Sequence, residues 1–264
     1  MNYWKQSPKN IYVAAHRGLS SDYPENTMAA FRAAIEAGVD QIETDIRISK
    51  DGELVLVHDA TVDRTTNGHG RVDEMTFAEL RALDAGKIRG MEGQGHQIPT
   101  LKEFMDLVKD LPEMTVDLEL KEYPTAGHEE IAYSVCDRVL QMVEEYGFVD
   151  RCVINTFSGK LHEYIQKKYG NRYRQHVYYP ISYHGECEMD PYSYGYCCCM
   201  FGEPYISSKE SCDEMNVRGV QPWAGAAIKD AKGVDDAIAH EVCLITCNNA
   251  DEILRLLRER GYHK

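Results

Sequence analysis

Strand-like and helix-like segments alternate along this chain, and the alternation restricts its fold more than any other feature. The stretches 10–15, 114–120, 152–157, 176–181, 217–223 and 242–247 carry apolar, β-branched or alternating patterns. Residues 41–59 read as two further strands joined at the turn Lys50-Asp51-Gly52. Between them, residues 26–37, 100–108, 129–146, 160–169, 234–240 and 250–260 place apolar side chains at helical spacing. Strands that alternate with helices build a parallel sheet with helices packed on it. Eight strand candidates within 264 residues favour a closed (β/α)8 barrel, the TIM barrel, over an open α/β sheet.

The boundaries carry their own signals. Asn26 is placed to cap the first helix, whose stripe is Met28, Phe31 and Ile35, and Gly38 ends it. Thr76 and Thr100 each open a capping box, T-F-A-E and T-L-K-E. Asn249 and Gly261 bracket the last helix. Two stretches lack a period. Residues 60–98 read as a small insertion after the third strand, and 182–216, rich in tyrosine and cysteine, as an elaborated loop after the sixth. No repeat, linker or composition break divides the chain, so one domain over 1–264 is expected.

Bulk composition narrows the partners. A formal net charge of -14 repels nucleic acid and anionic membrane surfaces. An anionic substrate therefore needs a local cation. The first ten residues lack a signal-peptide core, and no run approaches the ~18 apolar residues that span a bilayer. A cytoplasmic protein without membrane insertion is the expectation. Nine cysteines, odd in number and without a C-x-x-C pair, read as reduced packing or loop thiols, the run Cys197-Cys198-Cys199 included.

The polar residues fall where such a barrel keeps its chemistry, at the C-terminal ends of the strands. His16 and Arg17 end the first strand. Glu43 and Asp45 share one face of the second, since strand side chains alternate. His58 ends the third, and Glu119 and Lys121 end the fourth. Three carboxylates aimed at one point repel unless a cation sits among them, and oxygen donors without thiolates suit Mg²⁺ or Ca²⁺. Two histidines beside such an ion can serve as general acid and base. Arg17 and Lys121 supply fixed positive charge for an anionic group. Together these describe phosphoryl transfer on a small-molecule substrate. Acyl transfer lacks a G-x-S-x-G elbow, a zincin lacks H-E-x-x-H, and no Walker A or G-x-G-x-x-G sequence is present. Singly, each residue has a bland reading as a solvated face or structural pair. Four successive strands that each deliver a suitable group to one end outweigh that reading. By strand alternation Asp59 points away from His58's face and reads as a supporting residue.

These residues also carry a resemblance. Ala15-His16-Arg17-Gly18, Pro24-Glu25-Asn26-Thr27, Glu43-Thr44-Asp45, Lys50-Asp51-Gly52, Val57-His58-Asp59 and Glu119-Leu120-Lys121 resemble the glycerophosphodiester phosphodiesterase family in order and spacing over residues 11–121. Farther on, Ile154-Asn155-Thr156-Phe157 and Gln221-Pro222-Trp223 resemble it more loosely. Thr246-Cys247-Asn248 departs from its usual Thr-Asp. The resemblance implies a TIM barrel that hydrolyses glycerophosphodiesters to sn-glycerol 3-phosphate and an alcohol. It implies a divalent cation, Mg²⁺ or Ca²⁺, on Glu43, Asp45 and Glu119, with His16 and His58 as acid and base. Arg17 and Lys121 would hold the phosphate, and Trp223 would contact substrate. In the implied route the glycerol 2-hydroxyl attacks phosphorus, one histidine takes its proton, the other protonates the leaving alcohol, and water opens the cyclic phosphate. The same groups also serve direct attack by water.

Two rival readings use the same site. A lysophospholipase D-like or sphingomyelinase D-like enzyme needs an apolar rim or an anchor. A non-catalytic relative that binds metal or phosphate commonly lacks a ligand or a histidine, and this chain keeps them all. Tyr183, Tyr192, Tyr194, Tyr196, Phe201 and Tyr205 either recognise a head group or, as favoured here, pack their loop onto the barrel.

Overall fold

The computed structural model describes residues 3–264. Among the described residues, nine strands make one sheet. They are β1 (Tyr12–His16), β2 (Gln41–Ile48), β3 (Leu54–Leu56), β4 (Thr115–Leu120), β5 (Cys152–Asn155), β6 (Arg174–Tyr179), β7 (Cys197–Met200), β8 (Gln221–Ala224) and β9 (Leu244–Cys247). Eight run parallel in the order β1-β2-β4-β5-β6-β7-β8-β9, and β9 pairs with β1 to close the barrel. The helices are α1 (Met28–Ala37), α2 (Phe77–Arg81), α3 (Leu101–Val108), α4 (Glu129–Glu145), α5 (Gly159–Tyr169), α6 (Lys209–Val217), α7 (Ala231–Ala239) and α8 (Ala250–Glu259).

The TIM barrel expected from the sequence is present, with one exchange of strands. β3 is not a stave. It pairs antiparallel with the end of β2, Ile46 opposite Leu56 and Ile48 opposite Leu54. The reason is the turn at Lys50-Asp51-Gly52: a link this short joins only antiparallel neighbours, because a parallel pair needs a crossover of about a dozen residues or more. The eighth stave is β7, inside the segment read as a loop. Cys-Cys-Cys-Met is short, is buried throughout and lacks β-branched residues, so it shows neither alternation nor strand propensity. The segment 217–223 also shifts, since α6 runs through Val217 and β8 begins only at Gln221.

Strand alternation sorts the side chains into two cores. Val13, Ala15, Ile42, Val116, Leu118, Ile154, Val177 and Ile245 face outward and bury the apolar stripes of the helices. Ala14, Val153, Cys197, Trp223 and Leu244 make a second cluster with Trp4, whose ring stacks 6.4 Å from that of Trp223. Apolar packing at that inner level leaves the other end of the barrel free to carry polar groups.

The link from β1 to α1 opens near that end with two left-handed residues. Arg17 and Gly18 both take left-handed backbone angles, φ 59° and 79°. A Cβ on Gly18 would lie 2.6 Å from the Ala30 carbonyl carbon, so the loop packs directly onto α1. Helix α1 is capped by Thr27, whose hydroxyl accepts from the Ala30 amide, and not by Asn26. Both capping boxes form as the sequence indicates.

Candidate active site

Glu43, Asp45 and Glu119 meet on neighbouring strands, Asp45 directly opposite Glu119 across the β2–β4 pair. All three are buried, and each offers an oxygen within 4.8 Å of the others'. Two cations hold the cluster. Arg17 Nε lies 3.2 Å from Asp45 Oδ2, and Lys121 Nζ lies 3.2 Å from Asp45 Oδ1 while also donating to Glu119. The Arg17 amide donates to Glu43 Oε2 at 2.9 Å.

Burial and neighbouring charge together decide how these acids titrate. Burial would raise Asp45, but Lys121 and Arg17 outweigh it and hold the carboxyl below the usual carboxylate range. Burial raises Glu43 well above that range, and Asp45 and Glu119 push the same way. Burial also raises Glu119, against Lys121, from 4.5 to about 7. Three carboxylates face two fixed cations, so the cluster either takes up a proton or holds another positive charge. Glu43 Oε1 is buried without a hydrogen-bond partner. An orphan oxygen, an all-oxygen donor set and this spacing fit a hard divalent cation.

A sign follows for stability. Glu119 has a raised folded pKa, so without a cation it contributes stability that is present below pH 4.5 and is lost as pH rises through about 7. A divalent cation must displace that proton at low pH and meets none at high pH. The rise in thermal midpoint on adding Mg²⁺ or Ca²⁺ is therefore smallest near pH 4.5 and largest above pH 7. Midpoints measured in chelator and in cation across this range check it. A gain that shrinks with rising pH contradicts it.

Both histidines line the same cavity as the acids. His16 Nδ1 lies 2.6 Å from Asn248 Oδ1, and its Nε2 lies 3.9 Å from Glu43 Oε2. His58 Nδ1 lies 2.6 Å from Asp59 Oδ1. Both partners accept at Nδ1, so a neutral ring carries its hydrogen there and turns the Nε2 lone pair outward. Burial, seconded by Arg17, lowers His16 to about 4. Burial also lowers His58, with Lys121 and Arg17 acting in the same direction.

The cavity holds about 250 Å³ and is also lined by Arg17, Lys121, Asp117, Asn155 and His176. One wall is aromatic. Phe157 stacks on Tyr178 at 4.0 Å, and Tyr178 on Phe201 at 5.3 Å. Lys121 Nζ sits 5.6 Å over the Phe157 ring.

His16, Arg17, Glu43, His58, Glu119 and Lys121 all line this cavity, and Asp45 joins them through its ion pairs. Trp223 does not. It is fully buried against Trp4 and His176 and offers no surface to a substrate. Depth along the barrel explains the correction, since Trp223 lies in the apolar inner cluster with Trp4. Tyr192, Tyr194 and Tyr196 pack their loop onto the barrel as favoured, while Phe201 reaches the cavity. Asp59 is the direct partner of His58. Alternation does not reach it, because β3 stops at Leu56.

Three supporting residues were not legible as such. Asn26, read as a helix cap, has φ 55°, donates to Asp45 Oδ2 at 2.7 Å and accepts from the Thr44 hydroxyl at 2.8 Å. Two sequence hints existed: Asn26 lies in the Pro24-Glu25-Asn26-Thr27 motif, and Asn tolerates that backbone better than most residues. Arg47 pins the carbonyls of His58 and Lys121, at 3.0 and 3.2 Å. Asn248, at the departure from the family pattern, supplies the acceptor for His16. Asn26→Gly keeps the backbone angle and removes both of its side-chain bonds above together with the one that Oδ1 accepts from the Asp45 amide. It should cost about 1–3 kcal/mol, read by urea unfolding. A cost under about 0.5 kcal/mol, the usual limit for a surface change, removes Asn26 from the supporting set.

The chain as a whole is similar to known proteins. The model of the glycerophosphoryl diester phosphodiesterase family matches residues 16–185. A glycerophosphodiester phosphodiesterase of Caldanaerobacter subterraneus subsp. tengcongensis is 44% identical over 150 residues, 55% of this chain and 58% of that protein. The chain spans 57 to 58% of the length of the first curated relatives it matches. Among solved structures, an Oleispira antarctica phosphodiesterase in complex with the product sn-glycerol-3-phosphate has a TM-score of 0.76 at 23% identity, covering 94% of this chain and 96% of that one. A glycerophosphodiester phosphodiesterase of Agrobacterium tumefaciens str. C58 has a TM-score of 0.72 at 23% identity, with coverage of 92% and 98%.

Proposed function

Because the chain belongs to the glycerophosphoryl diester phosphodiesterase family, we propose that it hydrolyses glycerophosphodiesters to sn-glycerol 3-phosphate and an alcohol. One domain over 1–264 carries the reaction, on small water-soluble diesters in the cytoplasm. The observation that carries this reading is the pair of imidazoles, each anchored through Nδ1, opening on one cavity with a buried carboxylate cluster. The product bound to the Oleispira antarctica phosphodiesterase supports the substrate class. Among the described residues no helix is long and apolar enough to cross a membrane.

Glu43, Asp45 and Glu119 would hold Mg²⁺ or Ca²⁺, which would supply positive charge beside the phosphodiester. Arg17 and Lys121 orient the phosphate and balance its charge. His16 faces a neutral amide, which does little to favour an imidazolium, so its Nε2 takes the proton of the attacking hydroxyl. His58 faces a carboxylate, which favours the charged ring, so its Nε2 returns a proton to the leaving alcohol. The aromatic wall of Phe157, Tyr178 and Phe201 dries one side of the site and strengthens these interactions.

The test is product analysis on glycerophosphocholine, glycerophosphoethanolamine and lysophosphatidylcholine with Mg²⁺ or Ca²⁺. Glycerol 3-phosphate from the two deacylated diesters is expected. Faster turnover of the lysolipid replaces this reading with a lysophospholipase D. Cation binding without turnover replaces it with a binding protein.

A further inference from the structure

Arg64 lies in the insertion that follows β3 and does not line the catalytic cavity. Its guanidinium nevertheless makes four hydrogen bonds to two carboxylates from separate parts of the chain. Nη1 and Nη2 donate to Glu25 at 2.8 Å each. Nε and Nη2 donate to Asp59 at 2.7 and 3.2 Å. Each carboxylate has a second task in the site. Asp59 Oδ1 holds the Nδ1 of His58 at 2.6 Å, and Glu25 Oε1 accepts from Arg17 Nη1 at 2.8 Å. One side chain thus links the His58 ring to the Arg17 guanidinium.

The Arg64 side chain is 41% exposed, and a single ion pair that open to water contributes little. This one differs in geometry. A planar fork grips both carboxylates in bidentate fashion, which a lysine ammonium cannot do. Glu25 and Asp59 share this one cation and repel each other without it. Arg17 would still hold Glu25, which is 10% exposed. Asp59, 30% exposed, is the freer of the two to swing into solvent and let the His58 ring turn. Arg89 makes a second tie from the insertion to the same loop, donating to the Ser20 carbonyl.

We propose that Arg64 is a positioning residue: it fixes Asp59, and through it the His58 ring, by bracing both against Glu25. The kinetic part rests on the phosphodiesterase reading. The orientation part does not.

Arg64→Ala and Arg64→Lys are compared with Arg71→Ala, which removes an exposed ion pair to Asp73 in the same insertion. Both Arg64 variants should lower kcat about 10–100-fold, the usual cost of losing a group that orients a reacting residue. KM should change less, because Asp45 still holds Arg17. Arg71→Ala should match wild type. Millimolar free guanidinium should restore part of the Arg64→Ala rate and none of the Arg64→Lys rate, because the lysine fills the space. By proton NMR, the His58 Nδ1–H hydrogen-bonded to Asp59 should be present in wild type and absent from Arg64→Ala at an unchanged thermal midpoint. A wild type that cleaves no glycerophosphodiester but loses this signal on substitution overturns the functional reading alone. An Arg64→Ala that keeps both its kcat and its His58 signal overturns the positioning role, as does an equal loss in Arg71→Ala.

Discussion

Alanine at His58 is expected to lower kcat for glycerol 3-phosphate release by about 10²–10⁴-fold, and alanine at His16 to do the same, the range for removing a positioned acid or base. KM should move far less, because the phosphate is left to Arg17 and Lys121, which neither substitution touches. The double variant should lose little beyond the worse single one, since proton uptake and proton return belong to one reaction path. Structure should persist. His16 keeps its backbone pairing to β2, and Arg47 still holds the His58 carbonyl. Steady-state rates beside thermal midpoints settle the matter. Near wild-type turnover in both single variants removes the histidines from the chemistry.

Asp45→Asn should be the most damaging change in the carboxylate cluster. Asp45 is the acid that Lys121 and Arg17 keep ionised, and it is fully buried. An amide there removes the one charge that Lys121 and Arg17 share, leaving buried Lys121 to Glu119 and half-buried Arg17 to Glu25. Breaking a buried pair from one side costs about 3–5 kcal/mol, which for a chain of this size lowers the midpoint by about 6–20 °C. The same change removes one of three oxygen donors, so the variant should also lose its thermal response to Mg²⁺ or Ca²⁺ along with turnover. Melting curves with and without cation read both effects. A variant that melts like wild type and still responds to the ion shows that the cluster is organised around some other residue.

The grouping of the three carboxylates was legible because it follows strands. Glu43, Asp45 and Glu119 obey the two-residue period, and parallel pairing of β2 with β4 brings Asp45 opposite Glu119. The period misleads where a strand stops. It sent Asp59 away from His58, yet β3 ends at Leu56 and the two residues meet across a turn. It also gives no warning of depth: Trp223 reads as the last residue of its strand, as a mouth residue would, but β8 runs on to Ala224 and the ring is fully buried. β7 was missed because three cysteines and a methionine, buried on both faces, show no pattern to read. Arg64 reaches Glu25, 39 residues away, and Arg47 reaches the Lys121 carbonyl, 74 away, and no local spacing records such contacts.

The most direct measurement of the account is a coupled assay of glycerol 3-phosphate release from glycerophosphocholine through one cycle of chelation and reloading. The protein is assayed as purified, after EDTA, and after titration with Mg²⁺ or Ca²⁺. Activity that EDTA abolishes and one equivalent of tightly bound cation restores is the predicted result, with Asp45→Asn restored by neither ion. Full release of glycerol 3-phosphate in excess EDTA would contradict the central claim that two histidines act on a phosphodiester beside a cation held by Glu43, Asp45 and Glu119.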